Sequence, residues 1–170
     1  KSLQHPMSSF CFFSMIMKIR SFLADVKRKE LFMLAIFICS HSDFSTGLKK
    51  SAEMIAGPLD FVEAFSLWEG ESLESLAAQI REKYDFYHSQ QIPVVCLCDL
   101  ENATPYNACI WALSDTHCRI FAGANLPLVL ELALGRDMAE NLDEFLDQCL
   151  RSAQGALNAI GVQDFLTAND

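Results

Sequence analysis

The 170-residue sequence is short of basic side chains, with 13 Lys and Arg against 22 Asp and Glu and a net charge of −9. Proteins that hold nucleic acid draw their affinity from clustered cations, so nucleic acid is not expected as a partner. No G-x-G-x-x-G or Walker sequence supports a nucleotide site, and no G-x-S-x-G marks a hydrolase serine. The apolar run from Phe10 to Met17 is far shorter than the roughly 20 residues that span a bilayer, which excludes a transmembrane helix there. The seven cysteines have no disulfide-scaffold spacing. Cys96 and Cys98 form C-x-C on one strand face, but no second Cys/His pair at zinc spacing follows, so neither a metal nor a cofactor is expected. An odd number of thiols, mostly inside apolar runs, reads as reduced cysteine in the cytoplasm.

What the chain does have is apolar bulk: 51% of its residues are hydrophobic and 21% charged, enough for the core of one domain. Charge is distributed unevenly. Residues 1–32 carry six Lys/Arg and two Asp/Glu, leaving seven and 20 for residues 33–170. In the first stretch the cations follow the apolar run rather than precede it, against the pattern of a secretory signal. Phe12, Ile16, Ile19 and Leu23 lie at helical spacing, so a basic amphipathic helix at a membrane surface is one reading. The other is an N-terminal extension, disordered or partly helical, or sequence upstream of a true start at Met17 or Met33. Residues 33–160 read as one domain and 161–170 as a tail.

From Met33 onward, strands and helices alternate. LFMLAIFICS is a continuous apolar run, as a strand buried on both faces requires. Asp43 or Ser45 then caps a helix through about Ala56, with Leu48, Ala52 and Ile55 on one face and Gly57-Pro58 as its stop. FVEAFSL (61–67) is a second strand. A helix begins near Glu71 or Ser72 and ends near Gln90, with Leu73, Leu76, Ala77, Ile80, Tyr84 and Tyr87 at helical spacing. IPVVCLCD is a third strand; Thr104-Pro105 serve as N-cap and first turn of a helix through about Leu113. CRIFAG is a fourth strand. Asn125 caps a short helix, and a longer one runs from about Ala139 with a stripe through Leu142, Phe145, Leu146, Cys149, Ala153, Leu157 and Ile160. The pattern predicts an α/β fold: a doubly wound, mainly parallel sheet in flavodoxin-like order 2-1-3-4, with helices on both faces.

In such a sheet, ligands bind beyond the carboxyl ends of the strands where the order reverses, here between strands one and three. That brings together the stretch Cys39 to Asp43 and the stretch Asp99 to Pro105. His41 and Asp99 then face each other. An aspartate that accepts the Nδ1 proton leaves Nε2 with a free lone pair, and the helix start at Thr104-Pro105 suits an anion. An oriented neutral histidine beside an anion site fits phosphoryl transfer. The plain alternative is a histidine that closes a turn. His88 and His117 read as structural, and Ser40 with His41 and Asp99 does not make a hydrolase triad, because a serine beside its own histidine cannot easily present Oγ to Nε2.

Residues 33–60, MLAIFICSHSDFSTGLKKSAEMIAGPLD, followed by WEGES (68–72), CDLENATPYNA (98–108) and FAGANLPLVLELAL (121–134), resemble the mannose-family enzyme IIA domain of the bacterial phosphoenolpyruvate-dependent sugar phosphotransferase system. The likeness covers roughly residues 33–155. It implies a phosphoryl carrier that accepts phosphate on Nε2 of His41 from the phosphocarrier protein HPr and passes it to an enzyme IIB domain. By the same resemblance Asp99 holds the imidazole, and Thr104 contacts the phosphoryl group together with backbone amides of the loop at Asn102 and Ala103. It further implies a homodimer, an antiparallel strand added at the sheet edge, and membrane contact only through the transporter.

Three departures stand out. Asn102 and Ala103 occupy positions where the family usually has glycines, and alanine tolerates positive φ poorly. Ser42 replaces the glycine after the histidine, as in the related domain that supplies phosphate to dihydroxyacetone kinase. Glu101 puts a carboxylate near a site for phosphate. A weakened, regulatory or interaction domain of the same fold is therefore an alternative, as are a donor subunit related to dihydroxyacetone kinase and an unrelated receiver-like domain.

Overall fold

β1 (Ala35–His41) is buried along six of its seven residues, and only His41 at its end is exposed. A computed structural model describes residues 33–162; the basic N-terminal stretch and most of the expected tail lie outside the described residues. The sheet order is β2-β1-β3-β4 with all pairs parallel, which is the expected 2-1-3-4 topology. Its other strands are β2 (Val62–Leu67), β3 (Val94–Cys98) and β4 (Arg119–Ala122). Among the described residues the sheet has these four strands, and the antiparallel edge strand implied by resemblance is not among them.

Five helices separate and flank the strands: α1 (Phe44–Ala56), α2 (Leu73–Ser89), α3 (Thr104–Ala112), α4 (Leu126–Gly135) and α5 (Leu142–Gly155). Side chains alternate across each strand, and both faces are covered. Ala35, Phe37, Cys39, Cys96 and Cys98 meet Leu76, Ile80 and Tyr87 of α2 and Ala108, Cys109 and Ala112 of α3. Ile36, Ile38, Val95 and Leu97 have the opposite parity and are equally buried; on that side α1 and α4 pack on β1, and α5 packs on α4. The C-x-C thiols indeed share a face. Cys98 Sγ lies 3.7 Å from Cys109 Sγ, and burial pushes the neighbouring Cys39 thiol up to about 11, so it packs as a small neutral hydrophobe.

Local chemistry explains most helix boundaries. Ser72 caps α2 by accepting from Ser75 N–H at 3.1 Å, Asn125 caps α4 through Leu128 N–H at 2.9 Å, and Asn141 caps α5 through Glu144 N–H at 3.1 Å. Several expectations need correction. Thr104 is the first residue of α3, and the N-cap position belongs to Ala103, which has no side-chain acceptor. Ile55 does not join Leu48 and Ala52 in the core but is exposed. The last helix neither begins at Ala139 nor reaches Ile160: a 3-10 turn at Arg136–Met138 precedes it, Asn141 starts it, and it ends at Gly155. Leu157 is 91% exposed, so the apolar spacing there continues past the helix without a core to face.

At the opposite end of the strands from His41, Arg136 is buried and donates through Nη1 to Leu34 O and through Nη2 to Asp60 O, both at 2.8 Å. Its guanidinium also lies over the Phe61 ring. Desolvation pulls its pKa below the ordinary arginine value. This clasp ties the turn between α4 and α5 to the start of β1 and to the turn that leads into β2.

Candidate functional site

Each of the four sequence stretches that carry the resemblance contributes to one rim, the carboxyl edge of the sheet. His41 is the last residue of β1, in register with Leu67 at the end of β2. Beyond Leu67, Trp68 N–H donates to Glu71 Oε2 at 2.8 Å and Glu71 N–H returns a bond to Trp68 O, so the W-E-G-E-S sequence is a turn built around Gly70 at φ 86°. Asp99 follows β3 directly and its N–H bonds Cys39 O. Ala124 N–H reaches Cys98 O at 2.9 Å, which lays the F-A-G-A-N turn against the end of the same strand.

The expected pair is brought together. His41 Nδ1 lies 2.8 Å from Asp99 Oδ2, and His41 N–H donates to the same oxygen at 2.9 Å. Leu100 N–H donates to the other oxygen, Oδ1, at 2.8 Å. The carboxylate is thus held on both oxygens and cannot turn away from the imidazole. The His41 side chain is 47% exposed and that of Asp99 18%, so a docking protein can reach the ring while its support stays sheltered. A carboxylate only accepts, so in the neutral imidazole the proton sits on Nδ1 and the lone pair on Nε2. The backbone beside the ring is unusual: Ser42 takes φ 51°, and its N–H is tied to Leu67 O at 2.9 Å.

The loop from Asp99 to Thr104 leads into α3, a helix of nine residues whose first-turn N–H groups have no partner within the helix. Asn102 takes φ 61° and its carbonyl accepts from Asn107 Nδ2 at 3.1 Å. The position where the resemblance implies glycine is therefore at positive φ in this chain, and asparagine is a side chain that tolerates that region. Ala103 sits at φ −84° and ψ 173°, ordinary extended backbone, so its lack of glycine freedom costs nothing here. Thr104 follows as the first helical residue and is partly buried, whereas Glu101 is exposed and pairs with no cation among the described residues. The fully buried Ser40 does not approach the imidazole; its hydroxyl bonds the His41 carbonyl and Ser45 N–H. That disposes of a serine hydrolase triad.

His88 and His117 line a separate open cleft of about 850 Å³ with Arg81, Tyr84 and Asp115, and the His88 ring stacks on Tyr84. No helix among the described residues is long and apolar enough to cross a membrane.

Residues 35–150 match the family model described as PTS system fructose IIA component. The chain is 31% identical over 150 residues to the PTS system fructose-specific EIIA component of Bacillus subtilis, covering 81% of this chain and 99% of that one. It is 28% identical over 131 residues to the PTS system mannose-specific EIIAB component of Escherichia coli K12, covering 75% of this chain and 39% of that one. Among solved structures, the EIIA component from Streptococcus agalactiae superposes with a TM-score of 0.67 at 25% identity, covering 75% of this chain and 97% of that one. The mannose/sorbose-specific IIA subunit from Enterococcus faecalis shares the fold, with a TM-score of 0.68 at 24% identity over 76% and 96% of the two chains. With a family match running through β1 to α5 and the histidine and aspartate stretches inside it, the chain belongs to the mannose-type enzyme IIA family of the bacterial sugar phosphotransferase system.

Proposed function

We propose that the chain carries a phosphoryl group on Nε2 of His41, taking it from HPr and handing it to an enzyme IIB domain. The observation that carries this reading is the 2.8 Å bond between His41 Nδ1 and Asp99 Oδ2 at an exposed strand end. The free Nε2 lone pair attacks phosphorus, the bond from phosphorus to the donor breaks, and its electron pair leaves with the donor. Positive charge that develops on the ring is offset by Asp99, so the product stays a good leaving group for the next acceptor. Unpaired N–H groups at the start of α3, with Asn102, Ala103 and the Thr104 hydroxyl, form the cradle proposed for the phosphoryl oxygens. The E. coli relative is an EIIAB component, which supports an enzyme IIB acceptor, and one further partner is proposed from the resemblance, a second copy of this chain in a homodimer. A cytoplasmic setting accords with the six free cysteines among the described residues.

The loop geometry favours this reading over a weakened relative. Asn102 already takes the left-handed conformation and Ala103 does not need it. Incubation with phosphoenolpyruvate, enzyme I and HPr should add one phosphate, stable in base and labile in acid, and His41→Ala should take up none. Wild-type protein that stays unlabelled beside active partners would overturn the proposal.

A further inference from the structure

The last buried residue of β1, just before His41, is polar. Ser40 is fully buried, as is Ser45 at the second position of α1. Asp43 at the N-cap position makes no side-chain bond to the helix, so α1 lacks the local cap that helices normally have. Its place is taken from the preceding strand: Ser45 N–H donates to Ser40 Oγ at 2.6 Å. Ser40 Oγ in turn donates to the His41 carbonyl at 3.3 Å, and Ser45 Oγ is 2.8 Å from Ser66 Oγ on β2. Every buried side-chain nitrogen and oxygen among the described residues has a partner. The His41 peptide is therefore held at both ends, its N–H by Asp99 and its carbonyl by Ser40.

We infer that Ser40 is a positioning residue for the site histidine. Its hydroxyl clamps the turn from β1 to α1, including the left-handed Ser42, and so keeps Nδ1 of His41 seated on Asp99 with Nε2 turned outward. This rests on the reading of His41 as phosphoryl acceptor, but its physical content is independent of it. Neutral imidazole released from Asp99 has no reason to keep its proton on Nδ1, so a loosened turn mixes the tautomers and removes the nucleophilic lone pair part of the time. A displacement of about 1 Å at a reacting atom is enough to cost orders of magnitude in rate. The sequence signal is a serine between the apolar run of the strand and the histidine that ends it.

The test compares Ser40→Ala, the near-isosteric Ser40→Cys, the conservative Ser40→Thr and the remote cap variant Asn141→Ala. Nitrogen-15 NMR of the His41 ring reads the tautomer, and phosphoryl uptake from HPr reads the rate. Ser40→Ala and Ser40→Cys should each lose the single Nδ1–H tautomer and slow uptake at saturating HPr about 10-fold, with the half-saturating HPr concentration within about twofold. Ser40→Thr keeps the hydroxyl and should restore both signals. Asn141→Ala should lower the melting temperature and leave both untouched. Ser40→Cys or Ser40→Ala protein that folds, keeps the wild-type tautomer and transfers at the wild-type rate would overturn the inference. If wild-type protein takes up no phosphate, the proposed function fails, and the tautomer signal still decides the role of Ser40.

Discussion

Asp99 accepts two hydrogen bonds from His41 on one carboxylate oxygen, from ring Nδ1 at 2.8 Å and from main-chain N–H at 2.9 Å. The same contact that sets the tautomer also anchors the end of β1. Asp99→Asn keeps the size of the side chain but can no longer accept on both atoms and balance a developing charge. Phosphoryl uptake should fall by about 100-fold or more, and stability should fall by about 1–3 kcal/mol. Quench-flow labelling with a urea titration checks both; a variant with the wild-type rate would show that Asp99 only shapes the turn.

Ser42 and Asn102 both place a side chain at positive φ beside the site. Ser42→Gly removes the Cβ penalty and should raise stability by about 0.5–1 kcal/mol. Asn102→Ala should lower it by about 1 kcal/mol, because alanine adopts that region reluctantly. Ala103→Gly should leave uptake within about twofold, since residue 103 is already in extended backbone. Denaturant midpoints and initial rates measured on the three variants separate a strained loop from an altered cradle.

Glu101 is exposed at the mouth of the site. Its charge acts through water and salt, so Glu101→Gln should speed uptake only about two- to threefold at low ionic strength, with the difference vanishing near 0.3 M salt. Rates measured against salt concentration check this. A large effect that salt does not screen would mean that the carboxylate meets the phosphoryl group directly.

Arg136 lies at the other end of the sheet, and its two 2.8 Å bonds to main-chain carbonyls hold three segments together. Arg136→Met keeps the aliphatic bulk but gives up both bonds, and should cost about 2 kcal/mol of stability. Uptake by the folded variant should be unchanged. A combined loss of rate and stability would instead tie this end of the fold to the site.

Much of this molecule is legible along the chain because its information there is local. MLAIFIC (33–39) and IPVVCLC (92–98) are apolar throughout, as central parallel strands must be, and Ser72 and Asn125 announce their helices by side chains that bond N–H groups three residues on. Doubly wound topology then follows from strands that alternate with helices, and it places His41 opposite Asp99. Tertiary structure decided what depends on atoms distant in sequence. Whether Leu157 and Ile160 meet a core, whether α3 is capped by Thr104, and which φ Ala103 needs are settled by where neighbouring segments lie. Hydrogen bonding at the site is of the same kind: Ser40 caps a helix that begins four residues later, Asp99 grips a residue 58 positions away, and Arg136 reaches back 102 positions to Leu34. Periodicity and propensity describe a residue and its near neighbours, whereas a hydrogen bond needs two groups within about 3 Å, a distance that only the folded chain sets.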